Sequence, residues 1–253
     1  MYGEKIMAEP QTFLNELLAH LPRREWELLA PHATIVNLRQ AEQIFDDHDP
    51  GTLTYFPLTS IVSMIAQMEN GDECEYGCIG REGMLGLHVA LGAQPLRGQG
   101  LCQLEGAAVR LDGKILQKLT DSGEAPELHR LLLRYAQASI NVLAQSAACN
   151  ALHAVVARTA RWLLQSHDRA GKDEFSLTQD FLARMLGVRR ASVTEVALEF
   201  AKDGSISYTR GHMKVLDRDA LLAKSCECYR LMRDEYELVF QVSAKHTNGR
   251  IKT

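Results

Sequence analysis

The segment Leu177-Thr178-Gln179-Asp180-Phe181-Leu182-Ala183-Arg184-Met185-Leu186-Gly187-Val188-Arg189-Arg190-Ala191-Ser192-Val193-Thr194-Glu195-Val196-Ala197-Leu198-Glu199-Phe200 carries two helical patterns hinged on one glycine. Thr178 is placed to cap a first helix whose apolar face is Phe181, Leu182, Met185 and Leu186. Ala183 is small enough for a second helix to cross closely, and Gly187 supplies the positive φ of a tight turn. Val193, Val196, Ala197 and Phe200 form the inner face of the second helix. Counting Gln179 as position 1, Ala183, Gly187, Val193 and Val196 fall at 5, 9, 15 and 18, the spacing of a helix-turn-helix. Arg189, Arg190, Ser192 and Glu195 lie outward, at or near the N-terminal half of the second helix. That half enters the major groove in this motif, where Arg can pair with guanine and Glu with cytosine N4. Thr178 and Gln179 are placed with them at the candidate DNA interface. Solvated charges on an ordinary surface helix would account for the Arg pair, but not for four coincident spacings.

Downstream, Ser205-Ile206-Ser207-Tyr208-Thr209-Arg210-Gly211-His212-Met213-Lys214-Val215-Leu216 reads as two short strands around a Gly turn. A hairpin after the second helix makes the unit a winged helix, with Arg210, His212 and Lys214 at the wing to meet phosphates. Upstream, no Gly or Pro interrupts the stretch between Pro126 and Gly171. Leu128, Leu131, Leu132, Tyr135, Ser139, Val142 and Leu143 recur at helical spacing, and a break is expected near Asn150. The stripe fits two roles equally, pairing with its copy in a second subunit or covering a neighbouring domain.

Before Pro126 the texture is that of strands: Ala33–Leu38, Leu53–Phe56, Ile61–Met68, Glu75–Ile79, Gly100–Leu104 and Ala107–Leu111. Turn signals at Asp49-Pro50-Gly51, Asn70-Gly71-Asp72 and Asp112-Gly113 separate them, and an antiparallel jelly-roll type follows. Short amphipathic helices are expected at Phe13–Leu18 and Pro22–Leu29.

Net charge is −4, which looks wrong for a nucleic-acid binder. Residues 151–253, however, hold 17 basic against 13 acidic residues, and the first 150 hold 11 against 19. Phosphate contacts need local positive charge. The 46% apolar and 24% charged shares are those of a globular chain. No run is long enough to span a bilayer, and MYGEKIMAEP has no apolar core for a secretion signal. A cytoplasmic location, no membrane partner and reduced thiols are expected.

With these residues in view, the chain resembles the Crp/Fnr family, the regulators related to the cyclic-AMP receptor protein. Ile79-Gly80-Arg81-Glu82-Gly83-Met84-Leu85-Gly86 looks like the family's β-roll segment, and Thr178 to Val196 like its DNA-binding signature. The resemblance implies an α+β fold with an N-terminal antiparallel β-roll sensor over residues 1–125. A dimerisation helix over 126–150 and a C-terminal winged helix-turn-helix over 151–253 follow. It implies a homodimeric transcription regulator on an inverted-repeat operator of double-stranded DNA, with RNA polymerase as a further partner.

The family's cyclic-nucleotide binders carry Gly-Glu for the ribose and Arg-Ser for the cyclic phosphate. Here Arg81 follows Gly80, Glu82 is displaced by one, and Gly98 follows Arg97. Ser139 is the hydroxyl on the long helix near where the family reaches the base. Gly80, Arg81, Glu82, Arg97 and Ser139 are therefore the candidate effector residues, with cyclic AMP a poor fit and the effector open. The family's iron–sulfur sensors cluster cysteines near the N-terminus, whereas this chain has none before Cys74. Cys74-x3-Cys78 and Cys226-x-Cys228 lack the ligand count of a closed metal site, and His153 and His167 read as lone packing or surface residues. No metal or iron–sulfur cluster is expected. Hydrolase, P-loop and zinc-protease motifs are lacking, so an enzyme is not expected. The alternative to a regulator is a ligand-binding or interaction module without DNA-binding activity.

Overall fold

Two short helices open the described chain. The computed structural model describes residues 14–46, 52–93 and 98–247, with side chains to residue 241. The Asp49-Pro50-Gly51 turn, Phe13 and Arg97 lie outside the described residues. Asn15 caps α1 (Glu16–Ala19) through its Oδ1, which accepts from the Leu18 amide at 3.2 Å. α2 (Arg23–Leu29) follows, then strands β1 (Thr34–Leu38), β2 (Gln43–Phe45), β3 (Leu53–Pro57), β4 (Ile61–Gln67) and β5 (Glu73–Ile79). Helix α3 (Leu87–Ala90), strands β6 (Gln99–Leu104) and β7 (Gly106–Asp112), and α4 (Gly113–Asp121) complete the N-terminal part. The strands form two antiparallel sheets, β1-β7-β3 and β2-β6-β4-β5. Leu38, Val62, Leu85, Cys102 and Ala108 from both sheets and the β5–α3 loop make one buried cluster, as a β-roll requires. Asp112-Gly113 is not a strand turn. Asp112 instead caps α4, accepting from the Lys114 amide at 2.9 Å. The three-residue β2 was not legible as a strand.

Helix α5 (Pro126–Leu152) starts with proline at its first turn, where a missing N–H costs nothing. Its N-terminus is capped from another element. The buried Glu25 carboxylate of α2 accepts from the amides of Glu127 (3.0 Å) and Leu128 (2.7 Å), an anion at the positive end of the helix dipole. The helix does not break at Asn150. It runs to Leu152, and His153 turns the backbone extended.

The stripe read along this helix is covered by the chain itself. Leu128, Leu131, Leu132 and Tyr135 are buried in the core shared with α1, α2 and α4, and Val142 is buried beside Cys149. Of the two roles open to the stripe, it fills the covering one, because these apolar positions already have partners within the chain. The exposed large apolar residues of α5 stand elsewhere, at Leu133 (48%), Ile140 (59%) and, in the last turn, Leu152 (80%).

Beyond lie α6 (Val155–Ala170), β8 (Glu174–Ser176), α7 (Gln179–Leu186), α8 (Arg190–Lys202), β9 (Ile206–Thr209), β10 (His212–Val215), α9 (Arg218–Lys224) and α10 (Cys228–Thr247). α10 returns antiparallel along α5. Gln145 meets Cys228, Asn141 meets Glu235, and Tyr135 stacks on Tyr236. Val239 and Phe240 then enter the N-terminal core. The unit read as 151–253 therefore sends its last helix back to the β-roll side.

Candidate nucleic-acid interface

The two helices of the motif form as their sequence requires. Thr178 Oγ1 accepts from the Phe181 amide at 3.1 Å, and Gly187 ends α7 at φ +62°. Leu182, Met185, Leu186, Val193, Val196 and Phe200 are buried in one core with Trp162, Leu163 and Phe175. Arg158 of α6 donates to the Leu186 carbonyl, supplying a cation at the negative end of α7.

Arg189, Arg190 and Glu195 are exposed, and Ser192 is half-buried on the same N-terminal half of α8. Arg190 Nε stands 3.4 Å from Asp180 Oδ1, with both side chains 65% exposed, a weak pair that competing phosphate or base contacts displace easily. Thr178 is spent on its cap, and Gln179 Oε1 accepts from Thr194 Oγ1 at 2.8 Å, bracing α7 against α8. These two residues sit at the interface as scaffold. The wing is a three-stranded antiparallel sheet, β8-β10-β9, whose first strand the sequence did not disclose. Arg210 (φ +48°) and Gly211 (φ +83°) close a two-residue hairpin, and the side chains of Arg210 and Lys214 are exposed, with His212 beside them on the same hairpin.

Residues 157–224 match the family model of the Crp-like helix-turn-helix domain. The chain therefore carries a Crp-like helix-turn-helix domain, a DNA-binding unit. Among solved structures it is similar to FixK2 from Bradyrhizobium japonicum, at 16% identity and TM-score 0.64, over 77% of this chain and 98% of that one. It is also similar to TTHB099, a CRP-family regulator from Thermus thermophilus (18%, TM-score 0.62, 75% and 96% covered). A third is the c-di-GMP-responsive regulator CLP of Xanthomonas campestris (17%, TM-score 0.59, 76% and 97%). At these identities the likeness speaks for the fold. No curated protein matches the chain in sequence.

The helix-turn-helix unit is docked on the β-roll. Arg184 of α7 pairs with Glu73 of β5, Nε to Oε2 at 2.7 Å. Gln103 Nε2 donates to Ser166 Oγ at 2.9 Å. Trp162 Nε1 donates to Glu75 Oε1 at 3.1 Å, while Glu75 Oε2 is buried without a partner. Burial pushes the Glu75 carboxyl up to about 7, against hydrogen bonds from Ser63 and Trp162 and the charge of Arg161.

The residues read as an effector site are otherwise engaged. Glu82 Oε1 accepts from the Gly80 amide (3.1 Å) and from Arg169 Nε of α6 (2.8 Å), with the Glu82 and Arg169 side chains nearly buried. Burial works against the Arg169 charge, and Glu82 outweighs it. Arg81 faces Glu16 at 3.8 Å. Glu82 and Arg169 therefore form an ion pair between the β-roll and α6. Gly83 is needed where it stands, because a Cβ there would collide with the Tyr135 hydroxyl. That hydroxyl bonds the Met84 amide at 3.1 Å and carbonyl at 3.3 Å, fixing α5 to the loop. Ser139 donates to the Tyr135 carbonyl at 2.8 Å and lines a cavity of about 300 Å³ between β-roll and α5. Phe45, Tyr55, Met64, Leu85, Val142 and Leu143 make its wall mainly apolar.

His153 is not a lone histidine. Cys149, His153, Cys226 and Cys228 converge, with one potential ligand atom from each lying within 4.8 Å of all the others. The sequence reading paired Cys226 with Cys228 and missed Cys149, whose i, i+4 relation to His153 was the available signal. Burial and the neighbouring thiols push Cys226 up to about 12. Burial also acts to raise Cys149, but Arg161 and hydrogen bonds from the cluster outweigh it and hold that thiol below its ordinary value. His167 is likewise engaged, with Nε2 2.9 Å from Asp173.

Proposed function

We propose that the protein acts in the cytoplasm as a homodimer on an inverted-repeat operator. In this reading residues 1–125 are the sensor, 126–150 the dimer helix and 151–253 the DNA-binding unit. The observation that carries it is the exposed Arg189, Arg190 and Glu195 edge of α8, held by a capped α7 and flanked by a basic wing. Arg189, Arg190, Ser192 and Glu195 read base edges, and Arg210 and Lys214 fix register on phosphates. Thr178 and Gln179 hold the first helix at the backbone. The seam between protomers uses the outward face of α5, where Leu133 and Ile140 are exposed. RNA polymerase is the downstream partner.

The effector, in this reading, is a small apolar molecule in the cavity between β-roll and α5. Its lining offers little to a cyclic phosphate, and Glu82 is committed to Arg169. Chemistry on a substrate is no part of this reading.

Selection of bound sequences from random DNA tests it. A two-fold symmetric motif, bound with affinity that falls steeply with salt, is expected. Recovery of no enriched motif, or binding indifferent to salt, would reject it.

A further inference from the structure

We propose that Cys149, His153, Cys226 and Cys228 form a zinc site that ties the end of α5 to the start of α10. Cys149 lies in the last turn of α5 and His153 is its C-terminal cap, so Cys-x3-His presents both from one helix end. Cys226-x-Cys228 spans the entry to α10. Three buried thiols and one half-buried imidazole therefore meet from two chain segments about 75 residues apart.

The distances are those of a single tetrahedral ion. Cys149 Sγ stands 3.6 Å from Cys226 Sγ, and Cys228 Sγ 3.5 Å from His153 Nδ1. With Zn–S of about 2.3 Å and Zn–N of about 2.0–2.1 Å, ligands of a tetrahedral zinc stand roughly 3.5–3.8 Å apart. The outermost separation lies within 4.8 Å, about one ångström beyond that range. Three sulfurs and one imidazole are also the soft donor set that zinc takes in closed structural sites.

Two features outside the four ligands point the same way. His153 turns Nδ1 to the thiols and Nε2 to Glu227 Oε1 at 3.5 Å, the carboxylate support that metal-bound imidazoles commonly have. Gln145 Nε2 donates to Cys228 Sγ at 3.0 Å. Second, Arg158 and Arg161 of α6 are buried, and the carboxyl that feels the Arg161 charge, Glu75, is itself pushed up by burial towards its neutral form. Each leaves its Nε without an acceptor. Buried cations need a counter-charge. A zinc bound by three thiolates and a neutral imidazole carries one net negative charge, which answers that need.

The site also has a route to DNA. Arg158 donates to the last carbonyl of α7, so the charge beside the cluster is the one that holds the helix-turn-helix. Binding releases three thiol protons to solvent and involves no redox change.

The test is metal content of the full chain, purified without chelator. One zinc per protomer is expected, and a Cys149→Ser/Cys228→Ser variant should lose it, while Cys74→Ser/Cys78→Ser keeps it. Because loss of two buried thiols can itself weaken the fold, metal-stripped parent is also titrated with Co²⁺. The visible bands of tetrahedral thiolate cobalt should appear, saturate at one equivalent and vanish on adding zinc. Glu227→Gln, which leaves all four ligands in place, should weaken zinc about tenfold or more. Absence of stoichiometric zinc together with no cobalt spectrum would overturn the site. So would full zinc retention in the Cys149→Ser/Cys228→Ser variant, a Cys149–Cys226 disulfide in the purified chain, or iron–sulfur absorbance in place of zinc. None of these readouts depends on operator binding.

Discussion

Replacing Ile140 with Glu separates the two accounts of the long helix. Ile140 is 59% exposed in the single chain and Val142, two residues on, is 9% exposed. Fully burying an aliphatic side chain is worth about 1.5–3 kcal/mol, so covering the exposed part of Ile140 contributes roughly 1–2 kcal/mol per protomer. Two-fold symmetry uses the residue twice, giving about 2–4 kcal/mol per dimer. At about 1.4 kcal/mol per tenfold, the dimer Kd should rise roughly 30- to 700-fold, before any cost of burying two carboxylates. Thermal stability of the monomer should stay within about 0.5 kcal/mol, as for a surface change. Val142→Glu should do the opposite. It puts a carboxylate among Cys149, Cys228 and Met232, so unfolding temperature falls first and dimerisation only as a consequence. Sedimentation velocity across a concentration series, paired with thermal melts, reads both quantities. An Ile140→Glu chain that remains dimeric at the parent's concentrations would refute the seam, whatever its operator affinity.

Three further outcomes follow from the same structure. Arg190→Ala should cost about 1–3 kcal/mol on the selected operator and relax one base position; an unchanged selected motif would remove Arg190 from readout. The Glu75 carboxyl lies above its ordinary value of 4.5, at about 7. Its folded form thus holds a proton that the unfolded form releases, and stability should fall as pH rises from about 4.5 through about 7. Glu75→Gln should abolish that component, read as the parent-minus-variant melting difference against pH; a difference flat over this window would show that Glu75 is ionised throughout. Saturating cyclic AMP should change operator affinity by less than about twofold, a coupling under roughly 0.5 kcal/mol; a tenfold rise in a fluorescence titration would restore a nucleotide site.

Periodicity made some of this legible and hid the rest. The helix-turn-helix was readable because its constraints are local: one cap, one small residue, one positive-φ glycine and two apolar faces within 24 residues. The longer strands were readable for the same reason, whereas β2 and β8, at three residues each, are too short to show alternation. The stripe on α5 was seen correctly as apolar but says nothing of what covers it. Glu25 at the head of α5, Glu82 on Arg169 and the fourfold convergence at Cys149 join residues 102, 87 and 77 positions apart, and no window on the sequence spans them.

In the proposed reading, α5 is the element shared by the cavity, the subunit seam and the zinc site. Tyr135, Ser139, Val142 and Leu143 line the cavity, Ile140 faces outward between them, and Cys149 ends the same helix. An apolar ligand in the cavity changes DNA affinity only if it binds the docked and released states unequally. The docked state shown here has Glu73 on Arg184 and Glu82 on Arg169. The first pair is partly exposed and is worth little by itself, while the second is nearly buried and costly to break from one side. Movement of the helix-turn-helix off the β-roll should therefore pivot on Glu82–Arg169 and open at Glu73–Arg184. A charge-removing, near-isosteric Glu73→Gln change then acts on the equilibrium without unfolding the sensor. Its expected effect is a shift in operator affinity of a few-fold, consistent with a pair worth about 0–1 kcal/mol. Glu82→Gln should lower the melting temperature as well. Equal effects of the two variants on both readouts would place the pivot elsewhere.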